Sequence, residues 1–221
     1  MIKNNINKIL ADIARIKEKN KFDYDIKLIA VTKYATIDQI KEVLATGVYT
    51  LGESRVQDLI KKKEILNDPK IRWHFVGNLQ TNKIKKVIEL VDLIHSGSSL
   101  RQLNKINEAA KELNKKMPIL LQINFAKEDT KFGFNLEELF LYLPEIFSFE
   151  NLEIKGMMFI APNIKDNVAL VNYFKAIKNL CTMLKTSYNN INEISMGMSN
   201  DYLIALEEGA TMVRIGSLIF N

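Results

Sequence analysis

The 221-residue sequence predicts a (β/α)8 barrel of the TIM type carrying one additional helix at its N-terminus. Three observations predict it. Short apolar runs alternate with helix-period segments about eight times along the chain. Those runs are continuous rather than alternating, as strands covered on both faces are. The length suits one domain with one large core. A doubly wound open sheet has similar alternation, and strand count alone leaves it open.

The elements follow in order. Residues 1–20 read as a helix with Ile2, Ile6, Ile9, Leu10, Ile13 and Ile16 on one face. LIAVT (28–32) is short and rich in β-branched residues, as a buried strand is. Thr36 with Gln39 three residues on is a capping-box signature, and the helix behind it carries Ile37, Ile40, Val43 and Leu44 before Gly47. YTLG (49–52) leads to a helix through Val56, Leu59 and Ile60. RWHFVG (72–77) leads to one through Ile84, Val87, Ile88 and Val91. DLIHSG (92–97) precedes Leu100, Leu103, Ile106, Ala110 and Leu113. PILLQIN (118–124) precedes Leu136, Leu139, Phe140 and Leu143, with Pro144 expected to end or kink that helix.

IKGMMFIAP (154–162) precedes Val171, Phe174, Ile177, Cys181 and Leu184. EISMG (193–197) precedes a short helix closed by Gly209, and MVRIG (212–216) comes last. Only SLIFN follows, so one barrel helix is missing at the end. The N-terminal helix is expected to cover that gap. The predicted organisation is a single domain over 1–221, with the helix over 1–20 and the barrel over 27–221.

Composition narrows the function classes. An apolar fraction of 47% with 26% charged residues is that of an ordinary globular chain. No apolar run reaches membrane-span length, and the charged N-terminus lacks a signal-peptide pattern, which predicts a cytoplasmic protein. The lone Cys181 sits among Ile177, Leu180 and Leu184 and reads as a buried apolar residue. The net charge of +5 is spread in short clusters such as Lys61-Lys62-Lys63 and Lys85-Lys86, which read as solvated helix faces. No nucleic-acid motif accompanies them. Two isolated histidines, His74 and His95, make no metal site and read as hydrogen-bonded core residues.

In a barrel of this kind the ligand lies at the C-terminal ends of the strands, with phosphate held after strands 7 and 8. Strand 7 here runs into Ser195-Met196-Gly197-Met198-Ser199-Asn200-Asp201, and strand 8 into Arg214-Ile215-Gly216-Ser217. Glycine admits close backbone approach, free N–H groups donate to an anion, and serine adds a hydroxyl. Each loop alone is more often a simple turn; two side by side make a phosphate cradle. Lys33 directly follows strand 1, which pairs with strand 8 in a closed barrel. Most lysines lie at the surface, yet one beside a cradle can form a Schiff base when its amine is neutral and accessible.

AVTK (30–33), GES (52–54), WHFVGNLQTNK (73–83), GMMFIAP (156–162), SMGMSND (195–201) and MVRIGSLIF (212–220) together resemble the pyridoxal phosphate homeostasis protein family. The resemblance covers nearly the whole chain, in order. It implies a barrel like that of alanine racemase, binding pyridoxal 5'-phosphate (PLP) without established turnover. It implies that Lys33 forms the Schiff base, that Ser199, Gly216 and Ser217 hold the phosphate with Gly197 and Met198 in the same loop, and that Arg214 faces the pyridine nitrogen. A permanently charged guanidinium there disfavours ring protonation and weakens the ring as an electron sink. His74 is expected at the pocket mouth. Asn78, Gln80, Asn82 and Lys83 either shape a loop over the cofactor or cap a helix. Two departures stand out: Ser54 replaces the family's usual asparagine, and the chain stops at Asn221, short of the usual tail.

The function expected is therefore a PLP carrier that buffers the aldehyde and passes it to apo-enzymes, with no catalytic residues and no metal. A monomer is expected. The alternative is an amino-acid racemase, which needs a second acid/base that 221 residues leave no domain to supply. A sugar-phosphate barrel would need an acid/base pair that the strand ends do not show. RNA binding would predict a steep salt dependence.

Overall fold

The computed structural model describes residues 1–125 and 132–221. Eight parallel strands close into a barrel in chain order: β1 (Lys27–Val31), β2 (Thr50–Glu53), β3 (Arg72–Phe75), β4 (Leu93–Gly97), β5 (Met117–Ile123), β6 (Leu152–Phe159), β7 (Glu193–Ser195) and β8 (Met212–Ile215). Closure comes from β8 pairing with β1, Lys27 opposite Met212 and Ala30 opposite Ile215. This decides against the open doubly wound sheet.

The helices are α1 (Ile2–Asn20), α2 (Ile37–Leu44), α3 (Val56–Leu66), α4 (Ile84–Leu90), α5 (Leu100–Glu112), α6 (Leu136–Ser148), α7 (Asn167–Lys185), α8 (Tyr202–Glu207) and α9 (Ser217–Phe220). The Thr36 capping box forms in full, each side chain meeting the other's backbone N–H. A second box at Asn135 and Glu138 starts α6. That helix runs on through Pro144 rather than ending there. Proline removes one bond, to the carbonyl of Phe140, and Phe140 lies on the exposed face where water can replace it.

Helix α1 packs against α2, α8 and α9, the place a full-length eighth barrel helix would take. Its buried stripe is Ile2, Ile6, Ile9, Ile13 and Ile16. Leu10, read from periodicity as part of that face, is 37% exposed. Asn5 donates to the Ile219 carbonyl at 3.1 Å and the Tyr202 hydroxyl to Asp12 at 2.8 Å, tying the two ends of the chain together.

The main core lies between the strands and the helix ring. A second, smaller cluster fills the barrel itself: Ile29, Leu93, Leu120, Met158 and Met212, from five different strands. Side chains two residues apart share a face. The next layer toward the strand C-termini therefore holds Val31, His95, Gln122, Ile160 and Arg214. An apolar layer thus carries a layer containing a histidine and an arginine.

One lysine departs from expectation. Lys62 was predicted on a solvated face with Lys61 and Lys63, yet it is 9% exposed. Its Nζ lies 2.5 Å from Glu53 Oε1 and 2.5 Å from the Thr32 carbonyl. A long side chain on the inner edge of α3 can reach a carboxylate at a strand end, and helical periodicity of apolar residues does not report this.

Candidate active-end cavity

A cavity of about 450 Å³ opens at the C-terminal ends of the strands. Val31, Ser54 and Val76 form one wall, Ile160, Ala161 and Pro162 another, and Met198, Ser199, Gly216 and Ser217 the rim beside Arg214. Six of the predicted site residues thus converge: Ser54, Met198, Ser199, Arg214, Gly216 and Ser217.

Gly197 shapes the rim without lining it. Its φ is +90° and an added Cβ would stand 2.6 Å from the Ala205 Cβ, so the turn after β7 requires glycine twice over. The turn accepts a bond from the Arg214 backbone N–H at 3.0 Å through the Gly197 carbonyl, which binds the two loops together. Ser199 Oγ accepts from the Leu218 N–H at 3.2 Å, linking the β7 loop to the one after β8. Gly77, of the motif after β3, lets the chain pass against Ser54: a Cβ there would meet the Ser54 carbonyl at 2.3 Å. Asn78, Gln80 and Lys83 line a separate hollow with Arg55, and Ser54 is shared between it and the cavity.

Arg214 is buried, and among the described residues no carboxylate is in contact with its charge. Nη1 donates to Ser195 Oγ at 2.6 Å and Nη2 to the Phe159 carbonyl at 2.9 Å. Five N–H donors leave others for the cavity. Burial pushes its pKa down to about 10, opposed only by the charge of Asp201. Asp201, which sequence reasoning did not single out, lines the cavity; burial pushes its carboxyl above the usual range. Its Oδ1 accepts from the Met198 N–H at 2.5 Å and so holds the loop.

Two predicted residues lie elsewhere. Lys33 does not line the cavity; its Nζ sits over the Tyr34 ring, 4.8 Å from the centroid. Its backbone is close, since Val31 lines the cavity and its carbonyl lies 3.2 Å from where a Gly216 Cβ would be. His74, expected at the pocket mouth, instead lines a hollow of about 400 Å³ at the opposite end of the barrel with Lys27, Arg72 and Asp92. It lies mid-strand, in register with Leu93, and so faces the barrel interior rather than the rim.

The alanine racemase N-terminal domain family matches residues 5–221. Pyridoxal phosphate homeostasis proteins of Aquifex aeolicus (strain VF5) and of Synechocystis sp. (strain ATCC 27184 / PCC 6803 / Kazusa) are 38% and 40% identical, over 88% and 89% of this chain and 86% and 91% of theirs. The chain belongs to the pyridoxal phosphate homeostasis protein family. PipY of Synechococcus elongatus PCC7942, solved with PLP bound, superposes with a TM-score of 0.87 at 29% identity, covering all of both chains.

Seen as a member of that family, the chain gives its signature motifs distinct physical jobs. Ser-Met-Gly-Met-Ser supplies a glycine turn and a serine rim, with Ser195 one layer below as the acceptor for Arg214. The Gly-Glu-Ser segment supplies a rim serine and a buried carboxylate, Glu53, bound by Lys62, the Thr32 hydroxyl and the Ser54 N–H.

Proposed function

We propose that this protein binds PLP in the upper cavity, covalently through Lys33, and acts as a PLP carrier rather than as an enzyme with strong turnover. The observation that supports this best is Arg214: a buried guanidinium with donors to spare, facing a cavity rimmed by Ser199, Gly216 and Ser217. A phosphate fits the serine- and glycine-lined rim, and an unprotonated ring nitrogen fits the guanidinium. Bound there, PLP supplies an aldehyde that condenses with a lysine amine. Lys33 starts two residues past a cavity-lining strand residue, and its half-buried side chain rests on the exposed Tyr34 ring, from which a rotamer change would carry the amine toward the cavity.

The cavity walls favour a carrier over a racemase. Among the described residues that line it, Asp201 is the one acid, and no tyrosine, histidine or cysteine is present. Two-base proton transfer at a substrate Cα needs such a group opposite the lysine. Asp201 is engaged by the Met198 N–H instead. Apo PLP-dependent enzymes are the recipients this role implies, in the cytoplasm and from a monomer of one domain, with Gly197 and Met198 shaping the phosphate loop.

The test is absorbance of the protein with PLP, then borohydride reduction and peptide mapping. A visible band with the pyridoxyl mass on the Lys33 peptide supports the reading. Scattered labelling of surface lysines, or rapid proton exchange at Cα of alanine, overturns it.

A further inference from the structure

One polar path crosses the barrel interior below the cavity. From Arg214 Nη1 it runs 2.6 Å to Ser195 Oγ, 2.9 Å on to His95 Nδ1, and 3.0 Å from His95 Nε2 to His74 Nδ1. Around it pack Leu93, Met212 and their apolar layer. The path has one consistent direction. A guanidinium only donates, so Ser195 Oγ accepts from Arg214. Ser195 has no solvent exposure, and its hydroxyl proton needs an acceptor, which His95 Nδ1 provides. That nitrogen is then unprotonated, and a neutral His95 carries its proton on Nε2 and donates it to His74 Nδ1. His74 in turn is protonated on Nε2, the nitrogen it has left for the lower hollow. In the reverse direction the Ser195 proton would have no acceptor.

We propose that His74 and His95 are positioning residues: a one-way chain of neutral rings that makes Ser195 an acceptor toward Arg214 and so holds the guanidinium as a fixed donor into the upper cavity. Desolvation agrees with neutral rings. Burial pushes His74 down to about 4, against the opposing pull of Asp92 and with that of Lys27. Burial, with His74, Arg214 and Lys27, pushes His95 well below its ordinary value. A cationic His95 would donate from both nitrogens and bring a second positive charge beside the guanidinium. What the chain does for a bound ring nitrogen rests on the PLP reading above; the chain itself does not.

The decisive experiment is 15N imidazole NMR of the full chain without ligand, together with PLP titration of Ser195→Ala. The chain has two histidines, so the spectrum needs only a His74→Gln variant for assignment. Both rings are expected as Nε2–H tautomers at pH 7.5. An Nδ1–H tautomer or an imidazolium on either ring at that pH overturns the proposal, and because both rings are expected in the same form the parent chain gives this result before any assignment. Ser195→Ala is expected to weaken PLP binding about tenfold or more, since it frees a charged donor from its partner, and to shift the absorbance of bound PLP. Affinity and band unchanged in Ser195→Ala overturn the link to the cavity. Expected tautomers in a protein that binds no PLP support the chain and sink the proposed function instead.

Discussion

Lys62 Nζ meets Glu53 Oε1 at 2.5 Å, with the glutamate fully buried and the lysine nearly so. The same amine reaches the Thr32 carbonyl, and the Thr32 hydroxyl donates to Glu53 at 2.7 Å. A helix, the end of β2 and the residue before Lys33 are thereby joined. Breaking a buried pair from one side leaves a charge without compensation, at a cost of about 3–5 kcal/mol. Lys62→Met is expected to lose that much stability in urea unfolding and to slow labelling of Lys33 by PLP. Lys61→Met, on the exposed side of the same helix, is expected to stay within about 0.5 kcal/mol of the parent. Equal effects for the two lysines would refute the assignment.

The Lys33 amine over Tyr34 gives a second test. The Lys33 side chain is the main influence holding the Tyr34 phenol below its ordinary pKa of 10.0, with Arg55 adding a smaller pull in the same direction. Covalent capture of an aldehyde by Lys33 would take its amine away from the phenol. Tyr34 is therefore expected to titrate higher in the PLP-loaded protein and in Lys33→Ala than in the free protein. Ultraviolet titration of the difference spectrum measures this. A loaded protein whose Tyr34 still titrates low would mean that another amine carries the PLP.

Gly197 tests the rim. Alanine there must take a φ of +90° and place a methyl 2.6 Å from the Ala205 Cβ. Backbone strain and overpacking together are expected to cost about 2–4 kcal/mol in urea unfolding. PLP affinity is expected to fall with it, since the Gly197 carbonyl ties the β7 loop to Arg214. A variant as stable as the parent would show that the turn relaxes freely.

How far the sequence carried these conclusions varies with the physics involved. Strand and helix positions were legible because burial on two faces and helical periodicity leave direct marks in residue order, and the Thr36 box marked a helix start to the residue. The rim residues were legible because loops after strands 7 and 8 have a fixed place in a closed barrel. Lys62 was not: a lysine on an inner helix edge looks the same in sequence as its solvated neighbours, and only the carboxylate across the fold distinguishes it. His74 was legible as a hydrogen-bonded core residue, but its place at the pocket mouth came from the resemblance alone, and the side chain lines the lower hollow instead. The direction of the Lys33 side chain depends on a rotamer, which residue order does not encode.

The acid limb of the stability curve gives the last prediction. An unfolded histidine titrates near 6.5, whereas burial lowers His74 to about 4. Between those values the unfolded chain binds a proton that the folded one refuses. Stability is thus complete above about pH 6.5 and falls as the pH drops toward 4, by about 3 kcal/mol for His74 alone. His95, also lowered by burial, adds loss of the same sign. Urea midpoints measured from pH 7.5 to 4.5 should fall steadily, and His74→Gln should flatten part of that slope while lowering the neutral plateau. A parent curve that is level through this range would mean that both rings accept protons in the folded barrel, and the interior path would then have to be drawn with charged histidines.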